Sequence, residues 1–462
     1  MLLFMVKIEN NLSKGNVLTK LVLFALPFLA SNLVQSFYNV ADMLIVGNFS
    51  GTASMSGVNI GGQITFILTN VVIGLCMGAT VLIGQYVGAG NRVGLERVTA
   101  TIITMLIGTA LAITVVMLFF KGPVLRLIRT PAESFAESDR YLTVTLIGAV
   151  FIFGYNALSA ILRGMGNSKQ PFYFVSIACV TNVVLDLVFV AAFHWDAFGA
   201  ALATVISQAL SMFLCIIYMV RNNFQFDFKL RSFKIYKDQL ALIFKIGLPT
   251  CLQNAVTSLS FLFLTAIVNI VGGVTASAAV GAVGKFNSFA FMPTMAMSAS
   301  ISAMTAQNIG AGKMERAIQT CKIGTIFSVC VTWTFFVLVQ LFPSVILNAF
   351  GSDPEMIQDG ISYLRIFSFD FLFIPFIFCI NGFLIGGGHT IFTLFSSMLS
   401  AILLRVPVCY IFGVVIGWGL QGVALGGPAA AVGALVVTII YLATGKWRKI
   451  VIRAGRPVAE ES

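Results

Sequence analysis

The sequence predicts an all-α polytopic membrane protein, with twelve transmembrane helices in two six-helix bundles related by a pseudo-two-fold axis along the membrane normal. Three observations carry this prediction. The 462-residue chain is 58% hydrophobic and only 10% charged, whereas soluble domains carry about 25% charged residues. Apolar runs of the roughly 20 residues needed to cross a bilayer recur twelve times along the chain. Several motifs of the first half return in the second at one constant offset.

The leading "MLLFMVKIENNLSKGN" puts polar and charged residues ahead of the first apolar run and offers no small-residue cleavage site. A retained first helix is therefore expected rather than a cleaved signal. The spacing predicts spans near 18–48, 55–86, 97–120, 140–164, 170–193, 198–220, 241–270, 277–308, 317–349, 361–386, 391–416 and 420–444. These divide the chain into an N-terminal bundle (1–220), a basic cytoplasmic linker (221–240) and a C-terminal bundle with a basic tail (241–462).

The formal net charge of +11 would suit a nucleic-acid partner, but its distribution argues for membrane topology and no nucleic acid. Of the 28 Lys and Arg, 21 fall in the N-tail, the even-numbered loops and the C-tail. The odd-numbered loops hold five: Lys121, Arg126, Arg129, Arg140 and Arg365. Positive residues mark the cytoplasmic side, so both termini are expected inside, in the cytoplasm.

The halves repeat. Pro27 in "LPFLASNLVQSFYNV" returns as Pro249 in "LPTCLQNAVTSLSFL". At the same offset Gln85 in "GQYVGAG" returns as Gln307 in "AQNIGAG", and Gly164 in "LRGMGNS" as Gly386 in "LIGGGHT". Six helices per repeat leave both halves in the same orientation. Transporters built this way rock between two openings around a central site. "GAGNRVG" superficially suggests a dinucleotide loop, but no strand precedes it and it recurs as "GAGKMER", so a tight helix–loop turn is expected. All eight cysteines sit in apolar segments without a CxxC, which predicts small buried hydrophobes and no metal site.

Of the 17 acidic residues only Asp42, Asp186 and Asp370 fall inside spans. A charge at a helix centre costs about 2.5–3.5 kcal/mol on insertion scales, so such residues default to function or pairing. Ser31, Gln35, Asn39 and Asp42 are spaced 4, 4 and 3, along one helix face. Asn182 and Asp186 are one turn apart in span 5, and Thr204 and Gln208 in span 6. Counted from the outer rim, Asp42 and Asp186 lie at a similar depth, roughly 13–15 Å. Two carboxylates sharing a chamber of low dielectric hold a proton, because desolvation and mutual repulsion disfavour two bare charges. With asparagine and threonine oxygens they also suit Na⁺. The repeat offset sends Asp42 to Leu264 and Asp186 to Val408, so cation chemistry is expected in the first half only. Gln35, Asn39, Asn156, Gln208 and Lys285 are candidates for lining a substrate cavity, and Pro27 is a candidate hinge. Asp370 is expected near the wetted outer interface, and Arg405 is read as structural.

The chain resembles the multidrug and toxic compound extrusion (MATE) transporters over nearly its whole length. The likeness is carried by "YNVADMLIVGNFSG", "GQYVGAGN", "LRGMGNSKQP" and "TNVVLDLVFV" together with the two six-helix bundles. It is closer to the bacterial DNA-damage-inducible branch. The resemblance implies a V-shaped pair of bundles and export of organic, often cationic, compounds in exchange for H⁺ or Na⁺. It implies a first-half cation site at Asp42, Asn182, Asp186 and Thr204. Another branch uses a glutamate in span 7 and an aspartate in span 10. Here span 7 offers Thr257, and span 10 reads "FIPFIFCI".

The expected function is thus a monomeric secondary antiporter for small organic substrates, embedded in the lipid bilayer, without cofactor. The alternative within the superfamily is a flippase for lipid-linked oligosaccharide or another lipid. It is disfavoured because Lys285 and Arg405 are the only intramembrane bases. A channel or receptor lacks support from any soluble sensory domain. No nucleophile–base constellation suggests an enzyme.

Overall fold

The computed structural model describes residues 11–451, apart from positions 223, 225, 227, 352 and 450. Residues 1–10 and the end of the predicted basic tail, from 452, lie outside the described residues. Every described element is helical. Spans 1 to 3 are Val17–Phe49, Gly51–Ala89 and Arg92–Leu127, and spans 5 and 6 are Lys169–Ala192 and Asp196–Arg221. Span 4 is a bent pair, Ala132–Ile147 and Ala149–Gly164. Spans 7 and 8 run through Lys237–Gly310 and are separated at Gly273. Its φ of 60° and ψ of −139° end one helix before the next begins, a conformation open essentially only to glycine. Span 9 is Met314–Leu341, span 10 the bent pair Pro354–Phe367 and Asp370–Gly386, and spans 11 and 12 are Thr390–Val415 and Gly419–Ala443. Twelve spans result, as the apolar runs predict.

The helices are longer than the apolar runs. Span 3 begins at Arg92 and reaches Leu127, and span 4 begins at Ala132 rather than 140. Polar ends such as "AESFAESDR" still close backbone hydrogen bonds, and hydropathy does not register them. Lys121 donates to Asp139 Oδ2 and Thr143 Oγ1, both at 2.6 Å, which joins these polar ends of spans 3 and 4. Six of the cysteines are buried as expected, but Cys330 is exposed and Cys321 only partly covered.

The chain forms two compact units, one built from 26–247 and the other from 12–25 together with 248 onward. The boundaries fall just before Leu26-Pro27 and Leu248-Pro249, at the repeat offset once more. They therefore lie within spans 1 and 7, not at 220 and 241. A proline withholds one backbone N–H and lets a helix change direction, so the segments on its two sides can serve different cores. The linker joins the first unit: Tyr236 N donates to Thr101 Oγ1 (3.1 Å), and the Tyr86 hydroxyl to Gln239 Oε1 (2.9 Å).

Within each unit the same seam repeats. A Cβ on Gly164 would lie 2.8 Å from the Thr80 carbonyl, and one on Gly386 2.4 Å from the Ser302 carbonyl. Thr80 and Ser302 are themselves counterparts in the repeat. Glycine is required at both places because span 4 closes on span 2, and span 10 on span 8, backbone to backbone. The second unit packs Leu12, Leu21 and Phe24 against Met297, Ile301, Met304 and Phe383.

Candidate cation site

Span 1 carries Asp42 inward, where it is 8% exposed. Span 5 carries Asn182 and Asp186 one turn apart, both within 1% of complete burial. At Leu187 the helix widens into a π-turn that runs to Ala192, so Asp186 is the last residue of regular α-helix. Such bulges recur at functional sites. The carboxyl groups of Asp42 and Asp186 lie within hydrogen-bonding reach of one another. The Asn182 amide is satisfied when its nitrogen donates to Asp186 Oδ2 (3.2 Å) and its oxygen accepts from Thr204 N (3.3 Å). One helical turn of span 5 thus ties the acid pair to the backbone of span 6.

Three oxygens of the cluster are buried without a hydrogen-bond partner: Asp42 Oδ1, Asp186 Oδ1 and Thr204 Oγ1. Unsatisfied buried acceptors are costly. Oxygens of this kind around two carboxylates fit a proton or a small hard cation, which prefers oxygen ligands. One turn along span 1 from Asp42, Ile45 and Val46 pack with Val58, Val190, Ala197, Ala200 and Ala201. That apolar plug keeps the local dielectric low, which strengthens every charge interaction beneath it.

The four residues expected to form a cation site are therefore brought together. The cavity candidates are not gathered with them. Gln35 and Asn39 are exposed. The polar stripe splits because Asn39 sits about 60° from Asp42 around the helix, whereas Tyr38, four residues before Asp42, sits about 40° to its other side. Asn156 is half-buried and donates to its own helix at Ile152 O (2.8 Å). Gln208 is half-buried. Lys285 belongs to the second unit, is exposed, and takes part in neither ion pair among the described residues. Asp370 is not at a wetted interface but 2% exposed, because span 10 bends by 51° between Phe367 and Asp370. Pro27 lies inside the first helix, and Ser31 Oγ donates to the Pro27 carbonyl (2.8 Å), a back-bond that favours bending.

Sequence reasoning missed two tyrosines. Tyr38 and Tyr141 both face Asp42, Asp186 and Thr204. Tyr38 was findable from its i, i+4 relation to Asp42. Tyr141 stands in "DRYLTV", at the polar start of predicted span 4, and only the packing of span 4 brings it in. Its ring lies against Gly61, where a Cβ would meet it at 2.6 Å. Tyr141→Phe keeps the packing and removes a hydroxyl. Loss of a hydroxyl dipole facing the acid pair costs on the order of one hydrogen bond, about 1 kcal/mol, so cation affinity should fall roughly fivefold with the melting temperature unchanged. Cation titration of efflux from proteoliposomes checks this, and an unchanged affinity would remove Tyr141 from the site.

Known proteins match this chain over nearly its whole length. The MatE family profile matches residues 27–188 and 249–411, two copies that start at Pro27 and at its counterpart Pro249. The chain is 28% identical to the probable multidrug resistance protein YpnP of Bacillus subtilis (strain 168), over 94% of this chain and 97% of that one. It is 26% identical to the probable multidrug resistance protein NorM of Thermotoga maritima, over 96% and 95%. A crystal structure of MATE in the bent conformation superposes with a TM-score of 0.88 at 23% identity, covering 95% of this chain and 96% of that one.

Proposed function

Because the chain belongs to the MatE family of multi-pass membrane transporters, we propose that it is a multidrug efflux antiporter, exporting organic, often cationic, compounds in exchange for H⁺ or Na⁺. The observation that carries the reading is the pair Asp42 and Asp186, buried side by side with partnerless oxygens under an apolar plug. The names of its relatives support the substrate class.

In this reading the pair alternates between two charge states. Bare, the two carboxylates repel one another in a chamber of low dielectric. With a proton or Na⁺ between them the repulsion is removed, and Asp186 keeps its hold on Asn182 and, through it, on span 6. Span 1 responds by changing its bend at Pro27, with Ser31 exchanging its bond to the Pro27 carbonyl. The cation must bind the two bends with different affinity, or it drives nothing. In this reading the basic loops face the cytoplasm of a bacterium, and inward cation flow is coupled to outward substrate flow.

The test is dye efflux from proteoliposomes, with an imposed pH gradient and, separately, an imposed Na⁺ gradient. Efflux driven by one gradient is expected and names the ion. Silence under both, with correctly inserted protein and a range of cationic dyes, would overturn the antiport reading. Pro27→Ala is expected to slow gradient-driven efflux while leaving equilibrium dye binding in place, because it restores the missing N–H and makes the helix harder to bend. Unaltered efflux would exclude the hinge.

A further inference from the structure

The second unit holds a buried charged cluster that no step above uses. Tyr141 of the first unit has Tyr363 as its counterpart in the repeat, and Tyr363 is 2% exposed. Where Tyr141 faces Asp42 and Asp186, Tyr363 faces Arg405, Asp370 and Cys409. The surrounding backbone repeats closely. Span 4 bends by 52° at Gly148 and span 10 by 51° just before Asp370, and Gly148 and Asp370 are counterparts. Span 5 carries a π-turn after Asp186, and span 11 carries π-turns at Leu399–Arg405 and Ile411–Val415. Cys179 Sγ donates to Val34 O (3.9 Å) across spans 5 and 1. Ser260 Oγ donates to Ala401 O (2.9 Å) across spans 7 and 11, and Ala401 is the counterpart of Cys179.

The scaffold is thus duplicated while the charges are not. The counterparts of Asp42 and Asp186 are Leu264 and Val408. In their stead Arg405 enters from span 11. Its Cζ lies 5.0 Å from the centre of the Phe261 ring, and its Nε and Nη1 are buried without a hydrogen-bond partner. Asp370 is the carboxylate within its electrostatic reach, although the two are not among the ion pairs closer than 4 Å. The rest of the cluster is apolar, including Leu264, Phe367, Phe371 and Val423. A chamber with two carboxylates needs an outside cation. A chamber with one guanidinium and one carboxylate already sums to zero.

We propose that Arg405 is the resident counter-cation of the C-terminal unit: it neutralises Asp370 in the chamber that repeats the Asp42–Asp186 chamber, and so confines cation exchange to the N-terminal unit. The second half of this statement rests on the antiport reading above. The first half does not. Arg405 acts here by positioning and compensating charge. It need not touch substrate.

The experiment is a mutant cycle of Arg405→Met, Asp370→Asn and the double variant, with Arg405→Lys as the conservative control. Melting temperature in detergent is read beside efflux and the number of cations moved per substrate. Arg405→Met strands the buried carboxylate, and Asp370→Asn leaves the half-buried guanidinium without its counter-charge, so each should melt lower and lose about tenfold or more of efflux. Arg405→Lys should keep most of both. The double variant should return to within about threefold of the parent, because the two losses share one interaction, with the cation-to-substrate ratio unchanged. The pairing is overturned if the double variant is as impaired as the worse single, or if both singles behave like the parent. The confinement is overturned if Asp370→Asn or the double variant moves fewer cations per substrate. Failure of the antiport reading shows separately, as a parent protein whose efflux ignores both gradients, and the melting cycle still decides the pairing.

Discussion

Asp186→Asn is expected to abolish gradient-driven efflux while leaving folded protein in the membrane. The amide fills the same space but cannot take up a proton or supply the charge that holds a cation. A hydrogen bond to a charged group is worth up to about 3 kcal/mol, which is roughly a hundredfold in affinity. Asp42→Asn should give the same loss, because the cation is shared. Neither change should lower the melting temperature, since each removes a carboxyl oxygen that is buried without a partner. Efflux from proteoliposomes and thermal melting of the same preparations check both arms. Full gradient-driven efflux by both variants would sink the mechanism. A collapse in melting temperature would instead make the pair a packing element.

Gly386→Val is expected to remove most folded protein. Its Cβ would sit 2.4 Å from the Ser302 carbonyl oxygen and 2.9 Å from Thr305 Cβ. The nearest atom is helical backbone of span 8, so relief requires moving a helix and not a side-chain tip. Overpacking of this kind costs about 1–3 kcal/mol for a single added methyl and more for a branched side chain. Gly164→Val should follow with a smaller loss, since its nearest atoms, Thr80 O and Ile83 Cγ2, lie at 2.8 Å. Gly281→Ala is the control. Nothing lies within 4 Å of its added Cβ, and alanine favours a helix by about 1 kcal/mol over glycine. Fluorescence-detected gel filtration after heating ranks the variants. A Gly386→Val protein that melts with the parent would show that spans 8 and 10 do not close as described.

The number of spans and the repeat are legible in the amino-acid order alone. Hydrocarbon thickness sets the length of an apolar run, and a duplicated scaffold leaves its prolines and glycines at one offset. The same order marks the cation-site candidates, because a carboxylate inside an apolar run is too costly to be incidental. Packing of the helices selects which polar residues accompany them. The 3.6-residue period is too coarse to tell Asn39 from Tyr38 as the neighbour of Asp42, and the choice fell to the packing of span 1 against span 5. Tyr141 escapes the sequence pattern, and Asp370 is buried rather than wetted, for one shared reason. Each stands in or beside a bent span, and hydropathy records how apolar a segment is but not where its axis turns. Arg405 was legible as a buried base, but its relation to Asp370 was not. The two stand in different spans, well separated along the chain, and only the packing of spans 10 and 11 brings them around Tyr363.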